Sequence, residues 1–157
     1  MALQLMTPAF DRGQEIPSKY TCEGVDESPE VRWTGAPANT KSFALIVDDP
    51  DAPDPKAPKM IWVHWILYGL PADSKGLREA VPSKGLPSGT LEGSNDWAKA
   101  GYGGPCPPIG RHRYVFTLFA LDAALPDLST PSRAALEKAM EGHVVAKAEL
   151  IGTYQRQ

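Results

Sequence analysis

The 157-residue sequence has only two cysteines, no run of basic residues and no apolar stretch of membrane-spanning length. Two cysteines are too few for a scaffold built on disulfides. A helix that crosses a bilayer needs about 20 consecutive apolar residues. The opening Met1-Ala2-Leu3-Gln4-Leu5-Met6 has neither the basic lead nor the long apolar core of an export leader. With 16 Lys and Arg against 19 Asp and Glu, the formal charge is −3. That balance speaks against general nucleic-acid binding, which depends on neutralising phosphates. What is abundant is turn chemistry, with 16 prolines and 14 glycines. Such punctuation speaks against a helical bundle, and the length predicts one domain over 1–157.

Between the turns lie short apolar runs rich in β-branched and aromatic residues. Ser42-Phe43-Ala44-Leu45-Ile46-Val47 reads as a buried strand halted by Asp48-Asp49-Pro50. Residues 61–68 read as a second strand ended by Gly69-Leu70-Pro71, and residues 114–121 as a third. All three are apolar on both faces, as in a sandwich core. Residues 131–141 read as a helix with Thr130 as N-cap, Pro131 at the first helical position and Gly142 just past the end. Residues 144–154 alternate in polarity and are assigned to a closing strand. Phe43, Leu45, Val47, Val63, Trp65, Val115, Thr117 and Phe119 are expected in the core, and the four tryptophans are read as packing residues. The long loops 48–59, 72–89 and 93–110 are the places to look for function.

Three polar segments sit beside those strands. In Asp48-Asp49-Pro50-Asp51-Ala52-Pro53 the prolines stiffen a turn that carries carboxylates. His64, in Trp62-Val63-His64-Trp65, shares a strand face with Trp62 and Ile66, where an imidazole needs partners for both nitrogens. Gly101 to Tyr114 joins a glycine–proline loop, able to turn backbone N–H groups toward an anion, to His112 and Tyr114 on one strand face. Each segment alone also reads as turn chemistry, a satisfied core histidine or a rigid loop. His143, after Gly142, suits a helix C-terminus, and Arg111 and Arg113 either steer anions or lie in solvent.

Taken in order, Asp49-Pro50-Asp51-Ala52-Pro53, Trp62-Val63-His64-Trp65 and Gly103-Gly104-Pro105-Cys106-Pro107-Pro108 with His112-Arg113-Tyr114 resemble the phosphatidylethanolamine-binding protein family. The Gly-Gly-Pro-Cys-Pro-Pro form of the loop is similar to that of the bacterial Raf-kinase-inhibitor-like branch. Residues 16–24, Ser28-Pro29, 33–37 and 143–154 extend the likeness over nearly the whole chain. The resemblance implies a mainly β fold, an antiparallel Greek-key β-sandwich with one or two short helices. It also implies a small pocket for phosphate-type anions formed by Asp49, Asp51, Pro53, His64, Gly104, Pro105, His112 and Tyr114. In that reading Asp49 or Asp51 holds an imidazole, while the other imidazole nitrogen, the Gly104 N–H and the Tyr114 hydroxyl donate to the anion.

The function expected is therefore non-enzymatic binding of a small anionic or phosphorylated ligand, with no cofactor and no metal. The alternatives are an interaction protein that inhibits a kinase or a protease and, behind it, a phosphoester hydrolase. No His-Glu-x-x-His, paired Cys-x-x-Cys or Gly-x-Ser-x-Gly motif supports the last. Cys22 and Cys106 are expected as free thiols in a cytoplasmic protein, with a Cys22–Cys106 disulfide as the minor alternative. The bacterial relatives imply a homodimer.

Overall fold

The structure is a computed structural model and describes residues 2–157. Among the described residues, eight strands and one α-helix run in the order β1 (Gln4–Met6), β2 (Val31–Thr34), β3 (Ser42–Ala52), β4 (Met60–Pro71), β5 (Gly76–Leu77), β6 (Leu91–Glu92), β7 (His112–Leu121), α1 (Arg133–Met140) and β8 (Val144–Tyr154). They form a three-stranded sheet, β1-β2-β5, and a five-stranded sheet, β6-β4-β3-β7-β8. Every strand pair within them is antiparallel. The mainly β class expected from the short apolar runs is what the chain adopts. Among the described residues no helix is long and apolar enough to cross a membrane.

The doubly apolar strands take the centre of the larger sheet because both of its faces are covered. On one face Phe43, Leu45, Val47, Trp65, Leu67, Phe116 and Leu118 pack with Leu5, Val31 and Trp33 of the small sheet. On the other, Ala44, Ile46, Ile66, Tyr68 and Leu121 pack with Leu136 and Met140 of α1. Burying two such side chains supplies about 1.5–3 kcal/mol each, which is what holds a two-turn helix on the sheet. On β7 His112, Tyr114, Phe116, Leu118, Ala120 and Leu121 are fully buried, while Val115 and Phe119, assigned to the core by sequence, are only half-buried.

Three local expectations need correction. The first strand is not halted at Asp48; β3 continues to Ala52, pairing Asp48 with Val63, Asp49 with Trp62 and Ala52 with Met60. Pro50 is tolerated because it falls where the register shifts between Asp49 and Ala52, a bulge that needs no ladder donor. The helix begins later than Pro131: Ser132 is its N-cap, its hydroxyl accepting from the Ala135 N–H at 3.2 Å, while Thr130 takes a positive φ of 53°. Cys22 and Cys106 are joined in a disulfide rather than free. Their Cα atoms lie 5.4 Å apart because the Cys22 N–H already donates to the Pro105 carbonyl at 3.1 Å, bringing the two segments alongside.

Candidate functional site

At one end of the large sheet, β3, β4 and β7 expose polar side chains to a cavity of about 340 Å³. His64 reaches it through a bulge. Val47 pairs with Trp65 and Asp48 with Val63, so His64 is the extra residue on β4 and leaves the alternation. It therefore does not share a face with Ile66, which lies against α1. Its Nδ1 lies 2.7 Å from the Gly103 carbonyl, and the Gly103 N–H donates back to the His64 carbonyl at 3.0 Å. A carbonyl only accepts, so Nδ1 carries the hydrogen. Nε2 is buried with no partner among the described residues. Burial pushes the His64 imidazole below its ordinary range, against the pull of the Gly103 bond and of the Asp49, Asp26 and Asp96 carboxylates.

His112 is fully buried and differently held. Its Nδ1 lies 2.6 Å from Asp49 Oδ2 and its Nε2 lies 2.8 Å from the Ile109 carbonyl. Both neighbours are acceptors when Asp49 is ionised, so both bonds are made only by a ring with hydrogen on each nitrogen. Asp49 is further tied by the Asp51 N–H, which donates to its Oδ1 at 2.7 Å. Tyr114 stands between the two imidazoles, stacked near His112 with centroids 6.4 Å apart and edge-on to His64 at 5.2 Å. Its hydroxyl is buried without a hydrogen-bond partner. Burial first, and then the Asp49 carboxylate beside it, push the phenol well above its ordinary range.

Of the residues assigned to the pocket by sequence, Asp49, Pro53, His64, His112 and Tyr114 line it; Asp51, Gly104 and Pro105 do not. Asp51 is spent on Arg113, whose Nε and Nη2 reach its carboxylate at 3.0 and 2.8 Å. That pairing holds the Asp51 carboxyl below the usual range. The Gly104 N–H donates to Asp26 Oδ1 at 2.8 Å, and a Cβ on Gly104 would meet that carboxylate and the Tyr20 carbonyl. Gly104 is required for this close approach, and its N–H is taken. Pro105 is buried behind the rim with its carbonyl bonded to the Cys22 N–H. The second nitrogen of His112 is also taken. Arg111 pairs with Glu15, and His143 with Asp122 far along the chain.

Sequence reasoning missed the apolar walls: Ala52, Met60, Trp62, Trp97, Cys106, Pro107 and Pro108 also line the cavity. Trp62 and Trp97 are wall residues rather than core, with rings edge-to-face at 5.6 Å. Trp97 is placed by the Asn95-Asp96 turn. Asn95 Oδ1 accepts from the Trp97 and Lys99 N–H groups, and Asp96 Oδ2 accepts from the Val63 N–H at 2.7 Å. Gly103 completes the fit, since a Cβ there would strike the Trp97 ring. An Asx turn beside a tryptophan in a long loop is the signal that could have marked it.

A sequence model of the family described as phosphatidylethanolamine-binding protein matches residues 6–155. A UPF0098 protein of Methanothermobacter thermautotrophicus is 48% identical over 155 residues, covering 98% of this chain and 99% of the relative. The crystal structure of a phosphatidylethanolamine-binding protein homologue from Chlamydia trachomatis is 40% identical, covers 99% of both chains and superposes with a TM-score of 0.91. The YbcL protein of E. coli, described as a new member of the mammalian family, is 31% identical over the full length of both chains, with a TM-score of 0.89.

Proposed function

Because the chain belongs to the phosphatidylethanolamine-binding protein family, we propose that it is a non-catalytic binding protein whose cavity takes the phosphate-type head of a small ligand. The observation that carries this reading is the pair of buried polar atoms without partners, His64 Nε2 and Tyr114 Oη, on residues that line one open cavity. A buried polar atom left unpaired costs about 1–3 kcal/mol, which a ligand that completes the bond returns as affinity. Tyr114 donates to the head group and His64 forms the second contact, with His112 stacked behind Tyr114 and the Gly103 carbonyl holding the His64 ring. Asp51, Gly104 and Pro105 act through the frame of the rim. The apolar walls hold the remainder of the ligand.

Two features support binding without turnover. Among the described residues no serine or threonine lines the cavity, and the cysteine there, Cys106, is spent in the disulfide. The test is an NMR titration with inorganic phosphate and small phosphomonoesters, with His64→Ala and Tyr114→Phe alongside. The reading predicts saturable shifts centred on His64 and Tyr114 in the wild type and weaker binding in both variants; unchanged affinities would refute it.

A second reading, inhibition of a kinase or protease docked over the same mouth, draws support from exposed apolar side chains. Met60 and Trp97 of the cavity wall, and Ile109 beside Pro108, are 47%, 40% and 56% exposed. Protein capture that weakens when phosphate fills the cavity favours this reading. Capture of a second copy of the chain alone favours a homodimer.

A further inference from the structure

The phosphate-type reading leaves open which ionic form of the ligand the cavity takes, and the hydrogen inventory of its polar end decides that. Tyr114 Oη both donates and accepts, but His64 Nε2 does only one of these in a given protonation state. The Gly103 carbonyl at 2.7 Å fixes the hydrogen on Nδ1. In the neutral ring Nε2 therefore presents a lone pair, and a fully deprotonated oxyanion would set its own lone pairs against it.

The surrounding charge points the same way. Asp49 from β3, Asp26 and Asp96 from the packed loops, and His112 and Tyr114 from β7 are the titratable groups around His64. Asp26 and Asp96 are occupied by the Gly104 and Val63 N–H groups, and Asp49 by His112. Among the described residues no Lys or Arg lines the cavity. With the Asp49 carboxylate paired to His112, no free cation among the described wall residues balances a dianion.

Resting on the phosphate-type reading, we infer that the cavity selects an anionic head that still carries an acidic hydrogen, the monoanion of a phosphomonoester, and donates that O–H to His64 Nε2. Tyr114 donates to one of the remaining oxygens. A sulfate ester and a phosphodiester carry the same single charge but no such hydrogen, so they leave the His64 lone pair opposed. An intact phosphatidyl diester is disfavoured through its phosphate for the same reason. The Met60, Trp62, Trp97, Pro107 and Pro108 walls take the organic arm of the ester.

The experiment is calorimetry on the wild-type chain with phenyl phosphate, phenyl sulfate and methyl phenyl phosphate, paired with NMR of the His64 and Tyr114 side chains. Near pH 5.5 all three probes are mainly monoanions and differ in the acidic hydrogen, since a phosphomonoester loses its second proton near pH 6. We expect phenyl phosphate to bind at least about tenfold more tightly than the other two, as a site built around one hydrogen bond rejects ligands that lack it. At pH 8, repeating the titration in buffers of different ionisation enthalpy should show uptake of close to one proton per phenyl phosphate bound. His64→Ala should bring the three affinities together; if that variant does not fold, the wild-type comparison and the proton uptake still decide. Equal affinities with His64 and Tyr114 signals moving, or binding at pH 8 without proton uptake, overturn this inference and leave the pocket standing. No movement of either signal with any probe overturns both.

Discussion

Tyr114 and Asp49 play opposite parts at the same site. Tyr114 has a free hydroxyl, so Tyr114→Phe should leave the fold intact and remove one bond to a charged head. Such bonds contribute about 1.5–3 kcal/mol, and the variant should bind phenyl phosphate roughly 10- to 100-fold more weakly by calorimetry. Asp49 has both oxygens engaged, one by His112 at 2.6 Å and one by the Asp51 N–H at 2.7 Å. Asp49→Ala strands a fully buried imidazole, and urea unfolding should show a loss of about 3–5 kcal/mol, as for other broken buried pairs. Imidazoles set among tryptophans and a tyrosine are conspicuous in a sequence because burying them demands partners. That is why His64, His112 and Tyr114 were legible. The part of Gly104 was not: a glycine needed for close approach to Asp26 and Tyr20 reads the same as one whose N–H is offered to an anion.

At the level of elements, α1 is held on the sheet by Leu136 and Met140 and sets Arg133 over the buried Asp48 carboxyl. Arg133 reaches Asp48 at 3.3 Å and Glu137 at 3.0 Å. Burial raises the Asp48 carboxyl from 3.8 to about 6, with Arg133 pulling the other way. The folded chain thus holds this proton more tightly than the unfolded chain. The stability Asp48 contributes is fully present below the unfolded value and is lost as pH rises through about 6. Asp48→Asn should therefore stabilise the protein at pH 8 by about 2–3 kcal/mol, a gain that disappears by pH 4 in urea titrations at the two values. Removing the helix cap with Ser132→Ala should lower stability by about 1 kcal/mol in the same assay. Strand identities were readable because short β-branched runs between prolines have few other uses. Strand ends were not: Pro50 falls on a bulge, and Gly69, with φ of 70°, lies inside β4 rather than after it. The bulge at His64 likewise left no mark in the local pattern, yet it turns that ring away from Ile66 and toward the cavity.

Over the whole molecule, the two sheets, the helix and the rim loop are joined by contacts distant in sequence. The disulfide spans 84 residues and ties the segment after Tyr20 to the cavity wall. In a chain-entropy treatment, closing a loop of that length stabilises by about 4–5 kcal/mol. The double variant Cys22→Ser/Cys106→Ser should lose stability of that order, and thiol titration of the unfolded wild-type protein without reductant should find none. The pairing was hidden from the sequence because spacing along a chain says nothing about distance in space. Trp97 was hidden for the same reason, since its place in the wall depends on Gly103 and on the Asn95-Asp96 turn meeting β4. The ordered motifs carried the family and the mainly β fold; the distribution of hydrogen-bond partners, which separates cavity from frame, emerged only in three dimensions.

The central claim is that His64 Nε2 and Tyr114 Oη wait unpaired for a phosphate-type head while His112 is already satisfied by Asp49 and Ile109. The nitrogen-15 spectrum of the histidine side chains, recorded as phenyl phosphate is added near pH 5.5, addresses this directly. The account predicts a large displacement of the His64 Nε2 resonance with both His112 nitrogens nearly still. Saturable binding in which the His112 resonances move and His64 does not would contradict it.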